Sequence, residues 1–164
     1  DSSTSRGLGD VYKRQQYQRV LGHIQRGIDQ GARLLCGGAR PADLEKGFFI
    51  RPTVFTDVPS GSALWNEEIF GPVLCVRRFI TEAEAIALAN DSDFGLVASV
   101  VSANAEAAER VANALQAGLV WINAPQVIFP QTAWGGYKQS SIGRELGPWG
   151  LAAFQEIKHV IRAS

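Results

Sequence analysis

Two adjacent carboxylates, Glu67 and Glu68, stand in the run N-E-E-I-F-G-P at residues 66–72, with the apolar run V-L-C-V directly behind them. On a short helix, side chains at i and i+1 point about 100° apart, so the two acids cannot share one task. One can be solvated while the other turns inward. An ionised carboxylate accepts through two oxygens, which suits two vicinal hydroxyls such as those of a ribose. Phe70, two residues beyond Glu68, could pack against a flat ring. The competing reading leaves both acids in solvent at a helix end.

The remaining reactive side chains point to less. Cys36 lies in L-L-C-G-G and Cys75 in V-L-C-V. Neither opens a helix or adjoins a Lys, Arg or His that would lower its pKa, so both are expected to pack in the core. His23 and His159 are alone on their elements, without a second ligand at metal spacing. The sequence holds no G-x-G-x-x-G after a strand, no P-loop and no G-x-S-x-G. Arg144 and Glu145, in G-R-E-L-G, are expected to form an ion pair pinning the loop around them. Trp134, followed by two glycines, is either a core aromatic or the wall of a pocket.

These residues need elements to position them. Tyr17, Val20, Leu21, Ile24 and Ile28 fall at i, i+3, i+4, i+7 and i+11, one apolar stripe of a helix beginning near Gln16, with Gly31 as its stop. Residues 48–55, F-F-I-R-P-T-V-F, predict a strand edged at Pro52, and Val73 to Phe79 a second. Thr81 and Glu84 form a T-x-x-E capping box for a helix running to about Ala89. A buried strand follows at Val97–Val101, then a helix with Ala107, Val111, Ala114 and Leu115 inward, ended by Gly118. Leu119–Ile122 is the next strand. Pro148 suits the first turn of a helix burying Leu151, Phe154 and Ile157, and His159–Ile161 closes as a short strand. From residue 73 the order is β-α-β-α-β, which argues for a layered α/β domain with a mostly parallel sheet. Residues 124–150 are expected to be a long packed loop, because Ile128, Phe129, Trp134, Tyr137 and Trp149 make them too apolar for disorder.

Residues 1–15 are polar, rich in Ser and Gly, and end in D-V-Y-K-R-Q, which resembles adapter-derived sequence. They are expected to be a disordered, artefactual lead, leaving residues 16–164 as the folded part. A hydrophobic fraction of 46% and a charged fraction of 20% suit a core-forming chain of 164 residues. Sixteen basic and sixteen acidic residues cancel, which argues against a nucleic-acid partner. No apolar run reaches the roughly 18–20 residues of a membrane span. Two cysteines make no disulfide framework, so the expected location is a reducing cytoplasm.

Taken together, N-E-E-I-F-G-P-V, A-N-D-S-D-F-G-L, L-Q-A-G-L-V-W-I-N and W-G-G-Y-K-x-S-x-x-G-R-E-L-G resemble the C-terminal part of an aldehyde dehydrogenase, over residues 16 to about 162. G-G-A-R-P-A-D-L-E-K-G-F-F-I-R-P-T and P-V-L-C-V look nearest to the betaine-aldehyde and aminoaldehyde dehydrogenases. The resemblance implies oxidation of an aldehyde to a carboxylate with NAD or NADP. In that chemistry a cysteine thiolate attacks the carbonyl, hydride passes to the nicotinamide, and a glutamate-activated water hydrolyses the thioester.

It further implies that Glu68 binds the nicotinamide-ribose hydroxyls, with Glu67 the solvated partner. Phe70 would pack beside the nicotinamide end and Gln16 would reach the cofactor. Ile128 and Trp134 match positions lining the aldehyde tunnel, and Leu119 one beside it. The family's nucleophile, its glutamate base and its dinucleotide-binding domain lie N-terminal to the position of Gln16, and neither cysteine here matches the nucleophile's motif. The chain alone is therefore expected to be inactive, and its parent to be a homo-oligomer. Ser141 stands where the family has glycine, which would alter that turn if it needs positive φ. Leu119 is bulky where betaine-aldehyde specialists tend to be small, which weighs against a trimethylammonium substrate. The rival reading is a non-catalytic oligomerisation or binding module of the same fold.

Overall fold

The computed structural model describes residues 2–44 and 46–163, in two compact units divided after Arg78. The first unit opens with helix α1 (Ser2–Asp29). Its backbone is helical from Ser2, ahead of the start near Gln16 that the apolar stripe predicts. Once a helix is nucleated, each further residue adds a hydrogen bond at little cost, and no proline interrupts this stretch. Val20 and Ile24, each 2% exposed, carry the predicted stripe, whereas Ile28 lies largely in solvent. The helix closes as predicted at Gly31, whose φ of +90° lets its N–H reach Ile28 O at 3.0 Å and Ala32 N–H reach Gly27 O at 2.9 Å.

Three short strands follow, β1 (Arg33–Cys36), β2 (Thr53–Thr56) and, beyond the single-turn helix α2 (Ala63–Asn66), β3 (Val73–Val76). They form a sheet in the order β1-β2-β3, antiparallel and then parallel, with Thr53 opposite Val73 and Thr56 opposite Val76. The predicted strand 48–55 begins only at Thr53, because Pro52 has no N–H to give the ladder. Phe55 is fully buried and joins Val20, Ile24, Val58, Leu64 and Ile69 in one core. That core is what holds α1 against the sheet and the 67–72 segment.

The second unit begins with α3 (Glu82–Asn90), where Thr81 Oγ1 accepts from Glu84 N–H at 3.2 Å and Glu84 Oε2 accepts from Ile80 N–H at 2.7 Å. Strand β4 (Phe94–Gly95) precedes β5 (Val97–Val100), α4 (Ala105–Ala114) and β6 (Leu119–Ile122). β5 and β6 pair in parallel across α4, the predicted crossover, from Val97↔Leu119 to Val100↔Ile122. The mostly parallel arrangement therefore appears as two parallel pairs, β2/β3 and β5/β6, in separate sheets. β5 alternates exposed and half-buried residues and is not the buried strand expected.

Residues 124–150 are less irregular than predicted. They contain β7 (Tyr137–Lys138), antiparallel to β4, an isolated bridge between Trp134 and Glu145, and the start of α5 (Gly147–Ala152) with Pro148 in its first turn. Several of their apolar side chains face solvent, Ile142 fully and Trp149 at 61%. Leu151, Phe154 and Ile157 are also exposed, not inward, and His159–Ile161 forms no strand. A strand exists only beside a hydrogen-bonded neighbour, and no loop backbone bond among the described residues reaches 156–163.

Candidate functional site

The acidic pair does not sit on a helix. α2 ends at Asn66, and Glu67 follows in extended backbone, at φ −99° and ψ 144°, with its N–H on Ala63 O at 2.9 Å. The two acids still diverge, now because successive side chains of an extended segment alternate between faces. Glu67 turns toward α1, its carboxylate 3.4 Å from Arg26 Nη2 and 3.8 Å from His23 Nε2. It is half-exposed, and it is also paired with Arg26 across to α1. Glu68 is exposed, and among the described residues its carboxylate takes no hydrogen bond or ion pair. Ile69 turns back into the core at 9% exposure, and Phe70 turns out at 79%. Glu68 and Phe70 are thus both exposed, on either side of the buried Ile69.

α1 holds this segment through polar side chains. Gln16 Nε2 donates to the carbonyls of Ile69, at 3.2 Å, and Phe70, at 2.9 Å. Arg19 Nη2 donates to Glu68 O at 3.4 Å. Phe70 itself has a φ of +54°, a conformation an aromatic residue seldom adopts, and the Gln16 bond to its carbonyl supports it there. Gln16 and Phe70 line one cleft of about 730 Å³ with Tyr17, Val20, Phe48 and Phe49. Its walls are largely aromatic, with the Tyr17 and Phe48 rings 5.8 Å apart. A planar ring fits flat apolar walls of this kind.

His23 is 1% exposed, and its imidazole is held below its ordinary pKa by burial first and by Arg26 second, against the opposing pull of Glu67. Arg26 can only donate, and its Nη2 lies 3.0 Å from Nδ1 and 3.4 Å from Nε2, so an unprotonated ring nitrogen of His23 accepts from it. The sequence marks His23 only as a lone imidazole without a metal partner and gives Arg19 and Arg26 no role. The available signal was their spacing with Gln16, at i, i+3, i+7 and i+10, a polar row beside the apolar stripe.

Of the two cysteines expected in the core, Cys75 packs against the core of the first unit and Cys36 does not. Cys36 is exposed, since all four residues of the edge strand β1 are. Cys75 is half-buried, its thiol pushed up by burial and directed at Leu64 O, 3.5 Å away. No group of three His, Cys, Asp or Glu among the described residues is placed to hold a metal.

In the second unit, Leu119 opens β6 and is half-buried, as is Trp134. Gly118 lies directly against the backbone of Gly135, too close for any Cβ, so the segments carrying Leu119 and Trp134 are brought together. Ile128 stands apart, 50% exposed, although Trp121 Nε1 fastens its neighbour's carbonyl, Val127 O, at 2.9 Å. Arg144 pins its loop, but not through the Glu145 carboxylate. Its Nη1 donates to Gly136 O and Gly143 O, both at 2.8 Å, and its guanidinium lies over the Tyr137 ring. Glu145 contributes backbone bonds to Trp134. Ser141 has no positive φ, so it is tolerated where glycine was expected, and its hydroxyl bonds Gly143.

Residues 2–160 fit the profile of the Aldehyde dehydrogenase family, and the chain belongs to it. It is 54% identical, over 153 residues, to aminoaldehyde dehydrogenase 2, peroxisomal, of Malus domestica, covering 93% of this chain and 30% of that protein. It is 48% identical, over 155 residues, to betaine aldehyde dehydrogenase 1 of Oryza sativa subsp. japonica, covering 94% and 31%. Among solved structures, the aldehyde dehydrogenase of Mycobacterium tuberculosis complexed with NAD+ superposes with a TM-score of 0.81 at 46% identity, over 85% of this chain and 29% of that one. The chain thus spans about 30% of the length of the curated relatives it matches. No helix among the described residues is long and apolar enough to cross a membrane.

Proposed function

We propose that residues 16–164 are part of the catalytic domain of an NAD(P)-dependent aldehyde dehydrogenase acting on an aminoaldehyde or betaine aldehyde. In this reading Glu68, Phe70 and Gln16 form the nicotinamide-ribose side of the cofactor site, and Leu119, Ile128 and Trp134 belong to the aldehyde tunnel. The cofactor, when bound, accepts hydride; the residues here bind and orient it. The observation that carries the reading is the cleft lined by Gln16 and Phe70 with Tyr17, Phe48 and Phe49, next to which, two residues before Phe70, Glu68 is exposed with no partner among the described residues. The names of the Malus and Oryza relatives support the substrate class, and the NAD+ complex of the Mycobacterium enzyme supports the cofactor. We place the parent in the cytoplasm; a fluorescent fusion found in peroxisomes, as the Malus relative's name would have it, would reassign it.

The test uses the full-length parent. Glu68→Gln removes the charge and one strong acceptor while keeping the shape. Turnover or cofactor affinity should fall by about tenfold, the worth of one charge-assisted hydrogen bond, with folding intact by circular dichroism. Unchanged kcat and cofactor KM would sink the ribose role.

A second reading, a non-catalytic assembly module of the same fold, draws on the exposed Phe154, Ile157, Val160 and Ile161. Sequencing the locus upstream of Gln16 decides between them. An open frame encoding a dinucleotide-binding domain and a nucleophilic cysteine supports the dehydrogenase, which would then assemble as a homo-oligomer. A start codon near residue 1 without such a frame supports the module.

A further inference from the structure

Four polar side chains on one face of α1 meet the 67–70 segment in reverse order. Gln16 holds the carbonyls of Ile69 and Phe70, Arg19 holds that of Glu68, and Arg26 with His23 faces the carboxylate of Glu67. The first two contacts are to backbone oxygens, which every residue has, so they leave open which side chains face outward. Among these polar contacts only those of Arg26 and His23 with Glu67 recognise a particular side chain, and they act together with the burial of Ile69, at 9% exposure, in the core. Because the segment alternates, turning Glu67 inward sends Glu68 outward, and a one-residue slip would exchange the two sets.

We infer that Arg26 is a positioning residue: by holding Glu67 against α1 it turns Glu68 and Phe70 together toward the cofactor side. The inference rests on the cofactor role proposed for Glu68. Without Arg26, Glu67 would lose the guanidinium 3.4 Å away and keep only the buried imidazole at 3.8 Å, next in sequence to a second carboxylate. Both effects favour its swinging outward, into the space Glu68 needs. His23 takes part by filling the space under the pair, with a ring nitrogen accepting from Arg26, so the guanidinium is aimed as well as attracted.

The experiment compares the full-length parent with Arg26→Gln, Arg26→Lys, Glu67→Gln, the Arg26→Gln/Glu67→Gln double variant and Glu68→Gln, measuring cofactor KM, aldehyde KM, kcat and thermal midpoint. Arg26→Gln and Glu67→Gln should each raise cofactor KM about two- to fivefold, the return of a half-exposed ion pair, with smaller changes in kcat and aldehyde KM. The double variant should be no worse than either single one, and Arg26→Lys should restore most of the affinity. A cofactor KM unmoved by Arg26→Gln, additive losses in the double variant, or losses that merely follow the thermal midpoint would each overturn the positioning role. If Glu68→Gln is impaired and Arg26→Gln is not, only the positioning role falls. If Glu68→Gln is itself unaffected, the reading of Glu68 falls and takes this inference with it.

Discussion

At the residue scale, His23 makes a prediction that its neighbours determine. It is buried beneath Arg26 and Glu67, with Arg19 adding a further positive charge, and its pKa lies below the ordinary 6.5. Above that value the imidazole is neutral in both folded and unfolded chains and contributes no pH dependence. As the pH falls below it, the unfolded chain takes up a proton that the folded chain resists until its own lower pKa, so stability declines across that window. Urea unfolding at a series of pH values should show this decline, and His23→Phe should remove it; an identical slope in the variant would refute the account. The roles of single residues were unevenly legible. Glu68 and Phe70 could be picked out because a carboxylate two residues from an aromatic has a chemical reading. His23 could not, because its partner Glu67 lies 44 positions away in sequence, and only the fold brings them within 3.8 Å.

At the scale of elements, signals held where they were local. The Thr81 cap, the stop at Gly31 and Pro148 in the first turn of α5 depend on neighbours within a few residues, and the crossover from β5 through α4 to β6 on three elements that follow one another directly. They failed where an element depends on something it must pack against. Phe154 and Ile157 have apolar helical spacing, yet face solvent, and His159–Ile161 has no ladder to join. The helical register for Glu67 and Glu68 failed for a related reason: α2 stops after one turn, and the chain must extend to return Ile69 to the core. The central element of that core is β2, whose Phe55 is fully buried against α1. Phe55→Ala should destabilise the first unit by about 3–5 kcal/mol, the range for truncating a buried aromatic ring. The check is the urea midpoint at constant m-value. A loss below about 1 kcal/mol would mean that α1 and the sheet do not share one core.

At the scale of the whole molecule, the question is whether these 164 residues can carry out the chemistry of their family. The first step requires a thiolate, formed through a lowered pKa or an adjacent base. Cys75 goes the other way: burial raises its pKa, and its nearest polar neighbour is the Leu64 carbonyl, an acceptor that favours the protonated thiol. Cys36 is accessible, but the group at 4.0 Å from its sulfur is the Pro52 carbonyl, again an acceptor and no base. The one buried imidazole, His23, is committed to Arg26 and Glu67, and His159 lies on the exposed C-terminal segment. Neither thiol therefore has an activating partner among the described residues. We predict that the purified chain produces no NADH from an aminoaldehyde or betaine aldehyde, while the full-length parent does so under the same conditions. Stoichiometric, aldehyde-dependent NADH formation by the chain alone, retained in the Cys36→Ser variant and lost in Cys75→Ser, would place the nucleophile at Cys75. The reverse pattern would place it at Cys36. Either pattern would overturn the assignment of this chain as one wall of a site whose reacting groups lie elsewhere in the protein.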